Sequence, residues 1–377
     1  MVHLLRVSGP LSRADVADKL GLARSSVTAI VRDLIEDGTL IELASDTEGA
    51  ARRGRPRILL STNPGARRLL GVQIDARHAR VVVADATGNV LQESETSTGK
   101  RAAASVIRSI ARSAKQLIEK AGGPVAVAGV CIPGYVDART GTVMRSEVLG
   151  WSKVPLGQSL SQQLGIPVAV RDLTQATTLA EAIAGEARGA RSAVVLDYGG
   201  SVGFGLIIDG RPFYGDSGFA GAIGHIPILG GSNPCQCGRT GCLEAQMSMH
   251  AMHSAAPETQ GIPVEDIDLE AAAAEARDNP DSPGIVAPVI EQIAHVAVLI
   301  EAFIDPEVLV LSGLIVEFEE LADALQSRIE ELRPAERQGR TRIARSRLTR
   351  DYYGAAVLVA LQHLDPDIAG LVGAPTR

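Results

Sequence analysis

Three of the four cysteines in this chain fall within eight residues, at Cys235, Cys237 and Cys242, and His225 stands ten positions before the first of them. The spacing His-x9-Cys-x-Cys-x4-Cys brings three thiolates and one imidazole onto one short segment, the donor set of a tetrahedral zinc ion. A disulfide framework would spread its cysteines along the chain. Clustering without a recognisable signal peptide points instead to metal and to a reducing compartment, the cytoplasm. Gly238 and Gly241 let the backbone turn tightly between ligands. Four protein ligands leave no open position for water, so the expected ion is one structural zinc per chain and not a hydrolytic one. The plainer alternative is a set of reduced thiols without metal. The fourth cysteine, Cys131, lies in an apolar run and reads as core.

Charge divides the 377 residues unequally. The whole chain carries a net charge of −7 and only 3% aromatic residues. Taken as an average, this argues against a nucleic-acid binder and against stacked-ring recognition of single strands or polysaccharides. Residues 1–70, however, hold 11 Lys and Arg against 8 Asp and Glu, a net of +3, whereas residues 71–377 hold 26 against 36, a net of −10. A short basic head sits on an acidic body. Apolar runs such as Val296–Ile300 and Val308–Leu311 are far shorter than the ~20 residues of a spanning helix, so no membrane partner is expected. At 45% hydrophobic residues the chain can bury a sizeable core, and its length suits two or three domains.

Residues 1–65 read as a winged helix-turn-helix. Ser12 is a good N-cap for a helix from Arg13 to Lys19, and Gly21 breaks it. A second helix from Arg24 to Glu36 carries Val27, Ile30, Val31, Leu34 and Ile35 at the spacing of a face laid on a core. Leu40–Leu43 and Ile58–Leu60 suit the two strands of a wing, joined through an arginine-rich stretch. Only Val2–Val7 precede Gly9-Pro10, so the supporting first helix is either short or begins upstream. The first turn of the second helix offers Arg24, Ser25, Ser26 and Thr28 away from the apolar stripe, where a recognition helix meets base edges. Arg52, Arg53, Arg55 and Arg57 of the wing suit phosphates or a minor groove. The alternative is a helical protein-interaction module with a solvated basic loop.

The body alternates strand-like and helical runs. Leu69–Ile74, Ala79–Ala84 and Asn89–Glu93 resemble a three-strand meander, followed by an amphipathic helix over Ala102–Lys120 and a buried strand over Val125–Ile132. Val168–Val170 leads to Asp172 and an Ala-rich helix through Ala184. Ala193–Leu196 and Phe204–Ile208 then repeat the strand-turn-strand start. Such alternation means an α/β fold, and the two similar starts suggest a duplicated, two-lobed body.

These segments resemble the ROK family of bacterial sugar kinases and sugar-responsive repressors. In the head the likeness runs through Leu11-Ser-Arg-Ala-Asp-Val-Ala17, the second helix and Gly54-Arg-Pro56. In the body it runs through Val130–Asp137, Pro167–Asp172, Gly199–Gly205 and Ala220–His225, and is most specific in Cys235–Glu244. The resemblance implies a winged helix-turn-helix followed by an actin and sugar-kinase-like, ribonuclease H-like body. It places a first lobe at 70–187 and a second at 188–353 with a zinc loop at 225–244. A C-terminal helix within 354–377 is expected to pack back on the first lobe. It also implies a sugar site holding Gly134, Arg171, Asp172, His225 and Glu244, with Asp172 at the position of the kinase base.

Several family positions are altered. Arg77 replaces the close-approach glycine and Ala79 the threonine of the first phosphate loop, Asp75-Ala-Arg-His-Ala79. Gly200 stands where a threonine is usual, and Ser312-Gly313-Leu314 replaces a paired glycine. Arg171, Thr174 and Ala222 replace two asparagines and a glutamate. ATP phosphoryl transfer is therefore expected to be lost, Asp172 being a relic. The effector is either a modified or different sugar, an acidic or phosphorylated one included because of Arg171, or the site has decayed. The expected protein is a cytoplasmic DNA-binding transcriptional regulator, a repressor. As a dimer or tetramer it would bind a near-palindromic double-stranded operator and a sugar or sugar derivative. The alternatives are an ATP-dependent sugar kinase with a DNA-binding regulatory head, and a zinc-stabilised interaction scaffold.

Overall fold

A computed structural model describes residues 1–43, 58–99, 101–199, 201–248, 286–348, 352–366 and 368. The wing residues Arg52, Arg53, Arg55 and Arg57, the segment Gly54-Arg-Pro56, and Gly200 lie outside the described residues.

The head opens with α1 (Val2–Ser8), β1 (Leu11–Ser12), α2 (Arg13–Leu20) and α3 (Arg24–Glu36), followed by β2 (Leu40–Leu43) and β3 (Leu59–Thr62). Ser12 caps α2 reciprocally: its hydroxyl accepts from the Asp15 amide and the Asp15 carboxylate accepts from the Ser12 amide, each at 3.2 Å. Gly21, at φ 63°, ends α2 in the left-handed conformation that other residues adopt at a cost. The strands form a sheet in the order β1-β3-β2. Leu5 of the short α1 is buried with Val16, Val27, Val31, Leu40 and Leu60. Ile30 departs from the expected stripe: it is 41% exposed, because α2 covers only the Val27 and Val31 side of α3.

The first lobe is built from β4 (Arg68–Ile74), β5 (His78–Ala84), β6 (Val90–Ser97), α4 (Ala103–Ala121), β7 (Val125–Ile132), β8 (Tyr135–Asp137), β9 (Thr142–Ser146), β10 (Trp151–Val154), α5 (Leu156–Leu164), β11 (Val168–Asp172) and α6 (Leu173–Ala184). The second contains β12 (Ala193–Tyr198), β13 (Val202–Ile208), β14 (Arg211–Pro212), α7 (Leu243–Met247), α8 (Val286–Ile304), β15 (Val308–Ser312), α9 (Glu319–Leu332) and β16 (Arg342–Arg345). Helix α10 (Tyr352–Leu364) follows. The sheets run β6-β5-β4-β7-β11 and β14-β13-β12-β15-β16. In each, the first three strands are antiparallel and the fourth and fifth run parallel to the first. The duplication suggested by the two similar starts is thus a repeated sheet topology. Strand β6 extends to Ser97, beyond the apolar signal that ended at Glu93, because an edge strand lined by polar residues leaves no hydrophobic pattern to read.

Helix α10 lies on β4 and β7 of the first sheet. Its approach is set by Gly129, where a Cβ would run into the carbonyl oxygen of Ala356 and the amide nitrogen of Ala360. Gly129→Ala should lower unfolding free energy by roughly 3 kcal/mol, since backbone, not a side-chain tip, would have to yield. Urea denaturation checks this; a loss under ~1 kcal/mol would mean that α10 is not seated against β7.

Candidate metal loop and inter-lobe cleft

The segment from Pro227 to Cys242 folds as a knuckle closed by two isolated bridges, Pro227 with Cys242 and Pro234 with Thr240. Cys235 N donates to Arg239 O at 2.8 Å and Gly238 N to Cys235 O at 2.9 Å, so the turn reverses within four residues. Gly238 sits at φ 85°, the left-handed conformation such a reversal needs. His225 enters from the preceding loop.

The ligand atoms of His225, Cys235, Cys237 and Cys242 lie within 4.8 Å of one another. Ligands ~2.3 Å from a tetrahedral zinc stand about 3.8 Å apart. Cys237 Sγ is 3.6 Å from Cys242 Sγ, and His225 Nδ1 is 3.4 Å from Cys235 Sγ. The residues therefore fit a zinc-sized ion, with Nδ1 as the ligating nitrogen. Burial raises the Cys237 thiol, but hydrogen bonds from Arg239, Cys235 and Cys242 outweigh it and bring the group down to about 6, toward the thiolate a metal binds. Cys131 is buried in β7, away from the cluster, and burial pushes its thiol up.

The other ring nitrogen of His225 faces the first lobe. Its Nε2 lies 3.2 Å from Glu147 Oε1, which also pairs with Arg145 Nε at 2.6 Å. Burial raises the Glu147 carboxyl, but His225 and Arg145 together hold it below its ordinary value. Arg145 reaches on to the Gln236 carbonyl at 3.3 Å. Tyr135 stacks on the His225 ring with centroids 5.4 Å apart, and its hydroxyl donates to Ala222 O at 3.4 Å. Glu244 opens α7, bonded through its amide to Gly224 O at 2.8 Å, and burial raises its carboxyl despite the opposing His225. Gly134 supports this arrangement by packing: a Cβ there would strike the Arg145 carbonyl, so its absence seats the β8–β9 hairpin that presents Glu147. Glu147 and Tyr135 escaped the sequence reading. Glu147 is remote in sequence from His225; the turn that carries it, closed by Gly150 N on Glu147 O at 3.1 Å with Gly150 at φ 64°, marks a hairpin but not which residue its side chain will meet.

Asp172 and Arg171 belong to a second group, at the end of β11. Asp172 caps α6, accepting from the Gln175 amide at 2.9 Å. Burial pushes its carboxyl up to about 7, with the charge of Asp197 adding to the rise. Asp197, at the end of β12, is raised by burial to about 6 and accepts from the Thr174 hydroxyl at 3.2 Å. Gly313 closes over it; a Cβ there would lie 2.6 Å from Asp197 Oδ1. Arg171 points to the opposite side, its guanidinium 5.0 Å from the Tyr214 ring centroid. In the first phosphate-loop segment, Asp75 Oδ1 accepts from the amides of Arg77 and His78, each at 2.7 Å. In the head, Arg24, Ser25, Ser26 and Thr28 are all exposed, although the Thr28 hydroxyl donates back to Arg24 O at 2.8 Å. No described helix is long and apolar enough to cross a membrane.

A family description of the ROK family matches residues 69–361, and one for a winged helix-turn-helix DNA-binding domain matches residues 3–41. The chain is 27% identical to a xylose repressor of Caldicellulosiruptor bescii over 65% of its own length and 61% of the relative's. It is 30% identical to the DNA-binding transcriptional repressor Mlc of Escherichia coli, over 66% and 62%. It is 34% identical to a transcriptional regulator of Mycobacterium tuberculosis, over 69% and 58%. The chain thus spans about three-fifths of the curated relatives it matches. A solved ROK family transcriptional regulator, a homologue of the Escherichia coli protein, superposes with a TM-score of 0.79 at 23% identity, covering 98% of both chains. A ROK family glucokinase from Streptomyces griseus, solved with glucose and AMPPNP, superposes at 0.64 and 22% identity, covering 78% of this chain and 98% of its own. These two likenesses establish the shared fold.

A carboxyl whose folded pKa is raised keeps its proton where the unfolded chain has lost it, so its contribution to stability falls as pH rises through the window between the two values. For Asp172 the window runs from 3.8 to about 7. Asp172→Asn, which retains the helix cap, should therefore stabilise the protein by about 1–2 kcal/mol at pH 8 and have little effect near pH 4. Denaturation at both pH values tests it; equal effects at the two would show that Asp172 is ionised normally.

Proposed function

The chain belongs to the ROK family, and on that premise we propose that it is a sequence-specific DNA-binding transcriptional regulator, a repressor, whose two-lobed body senses a sugar or sugar derivative. The observation that carries this reading is the joining of a winged helix-turn-helix head, with Arg24, Ser25, Ser26 and Thr28 exposed on the first turn of α3, to a body of the sugar-kinase fold. The named regulators among its relatives support it. In this reading α3 enters the major groove, and Arg52, Arg53, Arg55 and Arg57 meet the backbone or minor groove beside it. The acidic body confines DNA contact to the head. A homo-oligomer, dimer or tetramer, presents two heads to a near-palindromic operator in the cytoplasm.

Kinase activity is absent in this reading, and ATP is not a ligand. The amides of Arg77 and His78, which a phosphate would need, are already taken by the Asp75 carboxylate. Arg77 supplies a long side chain where close approach requires glycine. The Asp197 carboxylate adds negative charge against Gly313, where a polyphosphate would have to be held.

The effector contacts His225 and Glu244, with Asp172 and the turn at Gly134 bordering the same cleft, while Arg171, a candidate for the same site by family resemblance, turns away from it toward Tyr214. Zinc held by His225, Cys235, Cys237 and Cys242 supplies no reactive position; it fixes the knuckle. Glu147 orients the His225 ring through Nε2, as carboxylate partners of metal-bound histidines do. Because Tyr135, Arg145 and Glu147 belong to the first lobe, whatever reorients the His225 loop alters the seating of the lobes.

Gel retardation with operator DNA isolated by selection from random duplexes tests the regulator reading. Arg24→Ala should weaken binding by about 1–3 kcal/mol while leaving the melting of the body unchanged. Failure to select any sequence, together with ATP-dependent phosphorylation of a sugar, would establish the kinase alternative. Metal analysis of protein purified without chelator should return one zinc per chain, and Cys242→Ser should lose it and melt lower. Protein that is folded and metal-free would refute the zinc assignment.

A further inference from the structure

A cavity of about 250 Å³ opens at the edge of the first sheet, where β11, α5, the loop after β8 and α10 meet. Its polar lining comes from Arg139, Thr140, Gln158, Ser161, Arg171 and His363. The hydroxyls there are already satisfied. Ser161 donates to Ile166 O at 2.8 Å, and Thr140 donates to the Asp137 carboxylate at 2.9 Å. Arg139 and His363 are exposed and meet water, whereas Arg171 is half-buried. Arg171 Nη1 donates to Val170 O at 3.0 Å and the guanidinium leans on Tyr214, but Nε is buried without an acceptor. Among the described residues no carboxylate forms an ion pair with Arg139, Arg171 or His363.

Two carboxylates act on these arginines by charge, Asp137 on Arg139 and Asp172 on Arg171, while their hydrogen bonds go to backbone amides and Thr140. Asp137 is turned into its own loop, accepting from the amides of Arg139 and Thr140, and Asp172 caps α6. A buried guanidinium nitrogen without a partner calls for an acceptor, because an unmade hydrogen bond to a charged group is costly. A pocket with satisfied hydroxyls, two arginines and a buried guanidinium N–H without an acceptor selects an anion over a neutral sugar. The volume lies below the ~300–1,000 Å³ of drug-sized ligand sites, which favours a small anion over a nucleotide.

We infer that this cavity binds the phosphate group of a small phosphorylated metabolite, with Arg171 and Arg139 as its charged contacts and His363 as a further donor. The site is separate from the His225 and Glu244 group and does not depend on the regulator reading. Its position gives it a consequence. Arg171 is adjacent to Asp172 on β11 and rests on Tyr214, whose hydroxyl donates to Gln362 of α10 at 3.0 Å. A phosphate drawn onto Arg171 therefore acts on a residue that already touches both lobes.

Isothermal titration of the zinc-loaded full chain with inorganic phosphate, glucose 6-phosphate and glucose tests this. Both phosphates should bind with dissociation constants of about 1 mM or tighter, and glucose should not compete. Tighter binding of the sugar phosphate identifies a phosphorylated metabolite; equal binding identifies free phosphate as sufficient, with the same chemistry. Arg139→Gln and Arg171→Gln should each weaken the titration about tenfold. Because Arg171→Gln removes a packed side chain, the Arg139 variant carries the test should the former unfold. No binding of either phosphate up to about 10 mM, or binding unchanged in Arg139→Gln, would overturn the proposal. Operator retardation is measured separately, so loss of one result leaves the other standing.

Discussion

The body is organised by two helices pressed between two sheets. Ala176, Leu179 and Ala180 of α6 and Ala355, Ala356 and Val359 of α10 share one buried cluster with Cys131 and Ala169 from the first sheet and Val195 and Val310 from the second. Small side chains bring the backbones close. Gly129 admits the Ala356 turn of α10, and Gly205 admits the Thr178 side chain of α6, each at a point where a Cβ would collide. Dense packing of this kind has few intermediate arrangements, so the sheets move as units. It also brings the ends of β11 and β12 together. Burial raises both Asp172 and Asp197, and the charge of Asp197 adds to the rise of Asp172.

The legible part of this architecture was the part written locally. Ser12, Gly21 and the Val27–Val31 face announced the head because a cap, a turn and a helical stripe need only neighbours in sequence. The Cys and His cluster was legible for the same reason, three of its four donors lying on one short segment. The two apolar strand starts near Val72 and Val195 marked the duplication. Strand β6 was cut short because polar edge residues carry no pattern. Ile30 shares the spacing of the buried stripe yet is exposed, because periodicity identifies a face but not how much of it a neighbour covers.

The cleft was less legible, for a physical reason. Glu147 stands on a turn that Gly150 closes locally, but its approach to His225 depends on Gly134 letting the Arg145 backbone pass, a relation between strands and not within one. Asp197 ends an apolar strand, where an acid reads as a loop residue until the first lobe brings Asp172 beside it. The charge partition was legible only after the chain was divided: the average of −7 hid a head of opposite sign. That head has its own core, with Leu5, Leu40 and Leu60 packed together and separate from the clusters of the body.

Coupling between a ligand in the cleft and DNA at the head requires groups whose contacts differ between lobe arrangements, because a ligand with equal affinity for both shifts nothing. The candidates are few. From the first lobe they are Tyr135, Arg145 and Glu147; from the second, the Ala222 carbonyl, His225 and the Gln236 carbonyl. All three contacts converge on the metal knuckle or the loop before it. An ion shared by His225, Cys235, Cys237 and Cys242 would make them rise and fall together, since His225 and Gln236 could not then move independently. Without that ion the same contacts would be three weak, separately lost interactions. A metal bound by these four residues would therefore bear on coupling as well as on stability, because it would tie a set of side-chain contacts into one element that a ligand could bias.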